Sequence, residues 1–423
     1  MTAIDATTAP VEDVAPDRAR AGFVAPEWPF WRLVSRGALL LLVTLGIYRF
    51  WLATDVRRYL WCHTRIAGDW LEYIGTAREL LLGFLIAIVL LVPVNVILFV
   101  GTLNRGLIGQ MGGSLALFVL ALLGQFAIYR ARRYRLTRTV FRGIRFHQTG
   151  AAWRYAVCAM FWWGLIALTL GLAYPFAQAS LERLKMRNTY YGDLQGHFVG
   201  SGLGLFFRGI VMWLVVMVPL VLGVVVAIGG VDWDAISEAF QRRDDVAGRI
   251  EAAGVGPAFA VAVLSILWSI IAAALLYPLF QAMTLRWWVS GLRFGALTVT
   301  SRLSTGAVYA LYTRFMGYAL VAAIVFAVLT AADLITIGAI ETRLGKGPVS
   351  ELATTAILIA TYVIVALGYS AIYQATVKLR LWKLGFESLD LDGVEILDRV
   401  KATGAAGSAV GEGLADALNV GGI

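Results

Sequence analysis

Six uninterrupted apolar runs constrain this chain more than any other feature. They cover residues 80–101, 114–130, 203–229, 256–280, 307–332 and 353–375. A helix rising ~1.5 Å per residue needs about 20 residues to cross a hydrocarbon core of ~30 Å, and runs of this length match that demand. The run at 114–130 is the shortest and is expected to need anchoring at the interface by Tyr129 and Arg130. Composition agrees: of 423 residues, 59% are hydrophobic and only 15% are charged. A soluble domain of this size cannot bury so large an apolar fraction, and disorder requires far less of it. The chain therefore reads as a polytopic membrane protein.

Two further apolar segments, 30–54 and 155–180, differ from the six. Each carries Thr-Leu-Gly near its middle, at Thr44-Leu45-Gly46 and Thr169-Leu170-Gly171, with Tyr48 or Tyr174 shortly after and Pro175 in the second. Glycine weakens a helix and proline breaks or kinks one, so each segment is expected to be two short helices meeting at a break. One outcome is a tight turn sealed by its neighbours. The other is a broken-helix site whose backbone groups meet a solute. For that second outcome the candidate residues are Thr44, Gly46, Tyr48, Thr169, Gly171, Tyr174 and Pro175.

Charge placement sets the expected topology. Net charge is +9, and 27 of the 36 Lys/Arg fall in the N-terminal stretch to Arg36, in linkers 55–79, 129–154, 181–202 and 284–305, and beyond 376. The positive-inside rule assigns these to the cytoplasm. Linkers 129–154 and 181–202 then share a side only if 155–180 does not cross once. The expected fold class is an all-α polytopic membrane protein with about six full transmembrane helices plus two short re-entrant hairpins; eight single spans are the alternative. Residues 1–29 are expected to form a disordered tail, 30–395 the membrane domain, and 396–423 a flexible, cytoplasmic C-terminal tail.

The linkers also resemble one another. Tyr174-Pro175-Phe176-Ala177-Gln178-Ala179 matches Tyr277-Pro278-Leu279-Phe280-Gln281-Ala282, with an echo at Tyr373-Gln374-Ala375. Gly143-Ile144-Arg145-Phe146 matches Gly291-Leu292-Arg293-Phe294. One module thus recurs about five times: an apolar helix, a basic helical extension, then a short β-prone stretch. These stretches are expected to gather into a small cytoplasmic layer, because isolated strand pairs are marginal in water.

On these residues, with Thr44-Leu45-Gly46-Ile47-Tyr48, Arg58-Tyr59-Leu60 and Asn188-Thr189 with Gly192, the chain resembles the YjgN-like family over roughly residues 25–395. That family comprises multi-pass bacterial inner-membrane proteins of unknown function. The resemblance implies an inner-membrane location and a multi-pass architecture, and no activity.

Catalytic signatures are absent from the sequence. There is no HExxH, no GxSxG and no Walker A loop, and Cys62, Cys158 and the three histidines form no ligand cluster. No enzyme activity, cofactor or metal is expected, and the positive charge is read as a topology signal rather than a nucleic-acid footprint. The eight arginines of 129–154, with no acid among them, make Arg132, Arg133 and Arg135 candidate contacts for anionic lipid headgroups of the bilayer. Two functions follow as expectations: a transporter- or channel-like protein for a small solute, or a non-enzymatic structural or lipid-associated membrane protein. The sequence is silent on oligomeric state.

Overall fold

The computed structural model describes residues 18–102, 107–242, 251, 253–345, 347–403 and 416. The chain opens with β1 (Arg18–Arg20) and β2 (Gly22–Phe23), a single extended segment interrupted at Ala21. A helical pair follows, α1 (Glu27–Val43) and α2 (Arg49–Cys62), and then a β-hairpin, β3 (Thr64–Ile66) and β4 (Asp69–Tyr73). The same alternation continues with α3 (Ala77–Thr102) and α4 (Leu107–Thr137), then β5 (Thr139–Phe141) and β6 (Ile144–Gln148). Next come α5 (Ala152–Leu168) and α6 (Tyr174–Arg187), then β7 (Thr189–Tyr191) and β8 (Leu194–Phe198). The fourth helical unit contains α7 (Gly202–Gly229), a short α8 (Trp233–Arg242) and α9 (Val255–Gly291), and leads into β9 (Leu292–Phe294) and β10 (Leu297–Ser301). The fifth contains α10 (Thr305–Leu344), α11 (Pro348–Tyr373), a π-helical turn at Gln374–Lys378 and α12 (Leu379–Glu387). It ends in β11 (Leu389–Asp392) and a 3₁₀ turn at Val394–Arg399.

Local chemistry explains the hairpins. Ala67-Gly68 and Arg142-Gly143 supply two consecutive positive φ angles, the backbone of the two-residue turns whose twist suits a hairpin. Thr64, Thr139 and Thr189 each open a first strand, and each donates its hydroxyl to the carbonyl four residues back, at 2.7–2.9 Å. That bond closes the preceding helix and hands the chain to the strand.

Every strand is antiparallel to its neighbours in one sheet of order β1-β11-β10-β9-β8-β7-β6-β5-β4-β3-β2. Its two ends are β1 and β2, which are one continuous segment. Arg18–Arg20 pairs with β11, and Gly22–Phe23 pairs with β3. The sheet is therefore closed into a ring, which leaves no free edge. Leu71, Phe141, Tyr191, Leu297, Val299 and Leu391 from around the ring belong to one core with Phe30, Val34 and Leu60 of the first helical pair. The ring is filled by side chains, as expected for a small closed sheet. Its turn end is covered by the segment after β11. There Lys401 and Asp193 exchange two hydrogen bonds, at 2.9 and 3.1 Å, and Arg142 pairs with both Asp69 and Asp398.

Each helical unit leaves the sheet and returns to it, so all linkers that form hairpins lie at one end of the helices. Linkers 129–154 and 181–202 share that end, because β5–β6 and β7–β8 are neighbours through the β6–β7 pair. Five helical stretches among the described residues are long and apolar enough to cross a membrane: Gly113–Thr137, Gly202–Gly229, Val255–Gly291, Thr305–Arg343 and Pro348–Glu387. The run at 80–101 lies in α3, a 26-residue helix with Pro93 inside it.

Several expectations are adjusted. The run at 114–130 is not short, because the arginine-rich stretch continues the helix to Thr137. The fold is helix-dominated, yet the β-prone linkers pair, so an all-α description is incomplete. Residues 18–29 of the anticipated N-terminal tail form β1, β2 and the start of α1, because pairing with β11 and β3 supplies the partners that a short polar strand lacks alone. Likewise 396–401 packs against the ring instead of trailing from it. The rest of both tails lies outside the described residues, apart from Asp416.

A cavity at the foot of the helices

Beside the sheet the helices leave a polar recess. It is a cavity of ≈ 550 Å³ between α2, the last turn of α11 and the π-helical turn. Apolar residues such as Phe50, Leu52 and Leu80 form much of its wall. Into it project Arg49, Arg57, Gln374, Lys378 and the carboxylate of Asp416.

Arg57 is the anchor, only 3% exposed. Its guanidinium forks onto Asp416: one nitrogen reaches Oδ2, the other donates to Oδ1 at 3.1 Å, and the first also reaches the Tyr73 hydroxyl at 3.3 Å. Arg135, from the foot of α4, stands 3.7 Å from the same carboxylate. Burial raises the Tyr73 hydroxyl above its ordinary range, opposed by Arg57, so it stays protonated. Four distant segments thus meet around the Arg57–Asp416 pair: α2, β4, α4 and the C-terminal region. Burying such charges is costly unless they are paired and hydrogen-bonded, and here the fork geometry does both.

The two units nearest in the ring repeat the scheme. Arg57, Arg132 and Glu182 stand seven residues before Thr64, Thr139 and Thr189, respectively. Arg132 donates to the Thr189 hydroxyl at 2.9 Å, and Glu182 pairs with Lys185. Tryptophans interlock the units in the same way: Trp61 donates to Thr139 at 3.1 Å and Trp382 to Thr64 at 2.9 Å.

Comparison with known proteins supplies a family and nothing finer. Residues 22–417 match the model of a family described as bacterial protein of unknown function, DUF898. The chain belongs to this family. No curated protein and no solved structure matches it. The matched span of this DUF898 chain begins at β2, just after β1, and takes in the remaining strands, the described helices and Asp416. The YjgN-like resemblance and the membrane-type helices are therefore shown, while the family assigns no role to any residue.

Arg135 apart, the residues singled out from sequence sit elsewhere in this DUF898 fold. Thr44 and Thr169 lie in two turns of matching construction. Each hydroxyl donates to the carbonyl four residues back at 2.7 Å and accepts the amide four residues ahead, from Tyr48 at 3.0 Å or Ala173 at 3.1 Å. Gly46 and Gly171 donate to Leu41 and Ile166 at 2.8 Å. The backbone amides at both breaks are thus already hydrogen-bonded. Tyr48 stacks beside Trp51, and Tyr174 and Pro175 border a small apolar recess of ≈ 80 Å³ with Gly171 and Trp213. The two turns share no hydrogen bond or ring contact among the described residues. Of the three arginines, Arg132 and Arg135 turn inward, and Arg133 bonds to the Gly150 carbonyl on the surface of its own unit.

The cavity residues themselves escaped sequence reasoning. Gln374 belongs to the recurring Gln-Ala pair, and Lys378 lies four residues on, so a signal existed there. Arg57 was counted only as topology charge. Nothing local marks Asp416, whose partner Arg57 is 359 positions away.

Proposed function

We propose that this chain is a bacterial inner-membrane protein that takes a small solute into the cavity beside Arg57, in the manner of a transporter. The observation that carries the reading is the cavity itself, where Arg49, Arg57, Gln374 and Lys378 gather beside apolar side chains such as Phe50, Leu52 and Leu80. An ionisable group in such surroundings marks a ligand or solute pathway by default. The π-helical turn supplies a second support, since Gln374 and Lys378 bound it and both line the cavity; such distortions recur at functional sites.

The proposed embedding puts the sheet at the cytoplasmic face, where the Lys/Arg-rich linkers gather, with the C-terminal tail on the same side. The three long helical units cross and return, giving six spans. The two short units go in and come back as re-entrant hairpins. Their arms of 17 and 14 residues reach only about 25 and about 21 Å, short of a ~30 Å core. Their tips carry apolar side chains in the open, Leu45 93% and Leu168 82% exposed, which suits lipid and not water. Inward-turned Arg132 and Arg135 favour an interior anion over a headgroup at the surface, so the lipid-associated alternative rests on Arg133 and the outer faces.

Thiol labelling tests the reading. With Cys62 and Cys158 replaced by serine, single cysteines at Ala53, Ser370 and Gln374 are expected to react with a membrane-impermeant thiol reagent in intact vesicles or cells. Protection of all three from both sides would remove the solute cavity.

A further inference from the structure

The foot of α10 carries a charge that the solute cavity does not use. Arg314 stands nine residues into that helix, about 14 Å above its sheet-side end. The 18 residues between it and Asp333 carry no charge and rise about 27 Å, close to the thickness of a hydrocarbon core. Arg314 therefore stands at the sheet-side edge of the proposed span and not in its middle. It makes no hydrogen bond or ion pair to a described residue. It lines a separate cavity of ≈ 360 Å³ between α10 and α12, where Ala307 and Ala310 leave the α10 wall open. Arg380 and Lys383 of α12 line the same cavity, both within about 11 Å of the sheet-side end of their helix. Glu27, the first residue of α1, holds Arg380 through one guanidinium nitrogen at 2.7 Å, and Glu387 lies 3.9 Å from Lys383. Both cations keep further N–H donors for a ligand. Aromatic rings mark the same level. Trp31 of α1 meets Tyr318, one turn above Arg314, at 6.1 Å between ring centroids, and Trp28 is 74% exposed beside Glu27. Trp and Tyr concentrate where headgroups meet hydrocarbon.

We propose that Arg314, Arg380 and Lys383 form a binding site for the phosphate of an anionic phospholipid at the cytoplasmic surface. The proposal rests on the membrane embedding described above and is independent of the solute cavity. A guanidinium fits two phosphate oxygens at once, and the Lys383 ammonium meets the group as a point charge. Basic recesses between spans on the cytoplasmic side suit such headgroups. Glu27, with its side chain 44% exposed, is an acceptor for a headgroup hydroxyl, which phosphatidylglycerol has and phosphatidylcholine lacks. Above the recess, Val321, Val325 and Val328 continue the Arg314 face of α10 and are 51–64% exposed, a track for an acyl chain. An arginine that only snorkels to water needs no such neighbours.

The test uses the full-length chain in lipid nanodiscs, with Cys62 and Cys158 replaced by serine and Ala310→Cys placed in the recess. Alkylation by uncharged N-ethylmaleimide is timed in phosphatidylcholine alone, with phosphatidylglycerol included, and with sodium phosphate added at constant ionic strength. Phosphatidylglycerol is expected to slow alkylation roughly fivefold or more, and Arg314→Gln is expected to remove most of that protection. Lys383→Gln is expected to weaken it, and decides the matter should Arg314→Gln not fold. Slowing by sodium phosphate alone keeps the phosphate site and overturns a lipid as its source. No slowing by either anion, or equal slowing in the Arg314 and Lys383 variants, overturns the proposal. None of these outcomes depends on thiol access at Ala53, Ser370 or Gln374, so the solute reading and this one fail separately.

Discussion

At the scale of single residues, the two Thr-Leu-Gly breaks show how little sequence is needed to reverse a helix. Leu45 and Leu170 sit at φ 51 and 50°, and Gly46 and Gly171 at 90 and 95°. The threonine hydroxyl bridges the turn in both. Gly46 has open space where a Cβ would go, so substitution there acts through the backbone alone. Gly46→Ala is expected to cost about 1–2 kcal/mol, and Thr44→Val about 1–2 kcal/mol for two lost hydrogen bonds. Both are measured as lowered unfolding midpoints in detergent. The break was legible in the sequence because Thr and Gly carry the turn chemistry themselves. Whether the turn would offer its backbone to a solute was not, since that depends on which amides the fold already satisfies.

His147 gives a second residue-scale expectation. It stacks on Tyr190, ring planes 8° apart, with its Nδ1 buried and lacking a described partner. Burial holds its pKa below the ordinary 6.5. Above that pH the imidazole is neutral in both folded and unfolded chains and contributes no pH dependence. Below it the unfolded chain takes up the proton first, so stability falls as pH drops. Hydrogen exchange of β6 and β7 amides, corrected for intrinsic rates, is expected to quicken below pH 6.5 in the wild type and not in His147→Gln.

At the scale of elements, the recurring β-hairpin organises everything else. Four hairpins share one plan: three residues, a two-residue turn, five residues. The fifth is completed by the N-terminal segment pairing with β11. The repeated strings in the sequence pointed to these linkers, yet they misaligned them. Gly143 sits in a turn and begins a second strand, whereas Gly291 ends a helix and begins a first strand. The positional equivalents of Gly143 are Gly68, Asp193 and Ala296, while Gly192 and Gly295 stand one residue earlier in their turns. Short strings cannot separate these cases, because a glycine before a strand serves a turn and a helix end alike.

The turn end of the ring gives the element-scale prediction. A Cβ at Gly192 would fall 2.3 Å from the Lys401 carbonyl, whereas one at Gly143 meets nothing within 4 Å. Both glycines have positive φ. Gly192→Ala is therefore expected to loosen residues 394–401 and speed tryptic cleavage after Arg399 and Lys401. Gly143→Ala is expected to leave that cleavage unchanged. Trp61, which donates to Thr139 and packs at a tilt against the rings of Tyr73 and Trp382, ties three units together. Its replacement by alanine is expected to cost about 3–5 kcal/mol.

At the scale of the whole molecule, closure of the sheet decides the topology. Apolar periodicity and arginine placement were enough to anticipate long helices, two broken segments and a shared basic face. The ring was beyond reach, since a two-residue strand such as Gly22–Phe23 acquires meaning only from its partners. The Arg57–Asp416 pair was hidden for the same reason. Once all linkers belong to one sheet, every helical unit must return to the side it left, and this is what the proposed re-entrant reading of the short units rests on. The direct measurement is a set of topology reporters fused after residues 150, 200 and 232. The account predicts that 150 and 200 report the cytoplasm and 232 the opposite side. Opposite reports at 150 and 200 would contradict it, because 155–180 would then cross the membrane once and the sheet could not close.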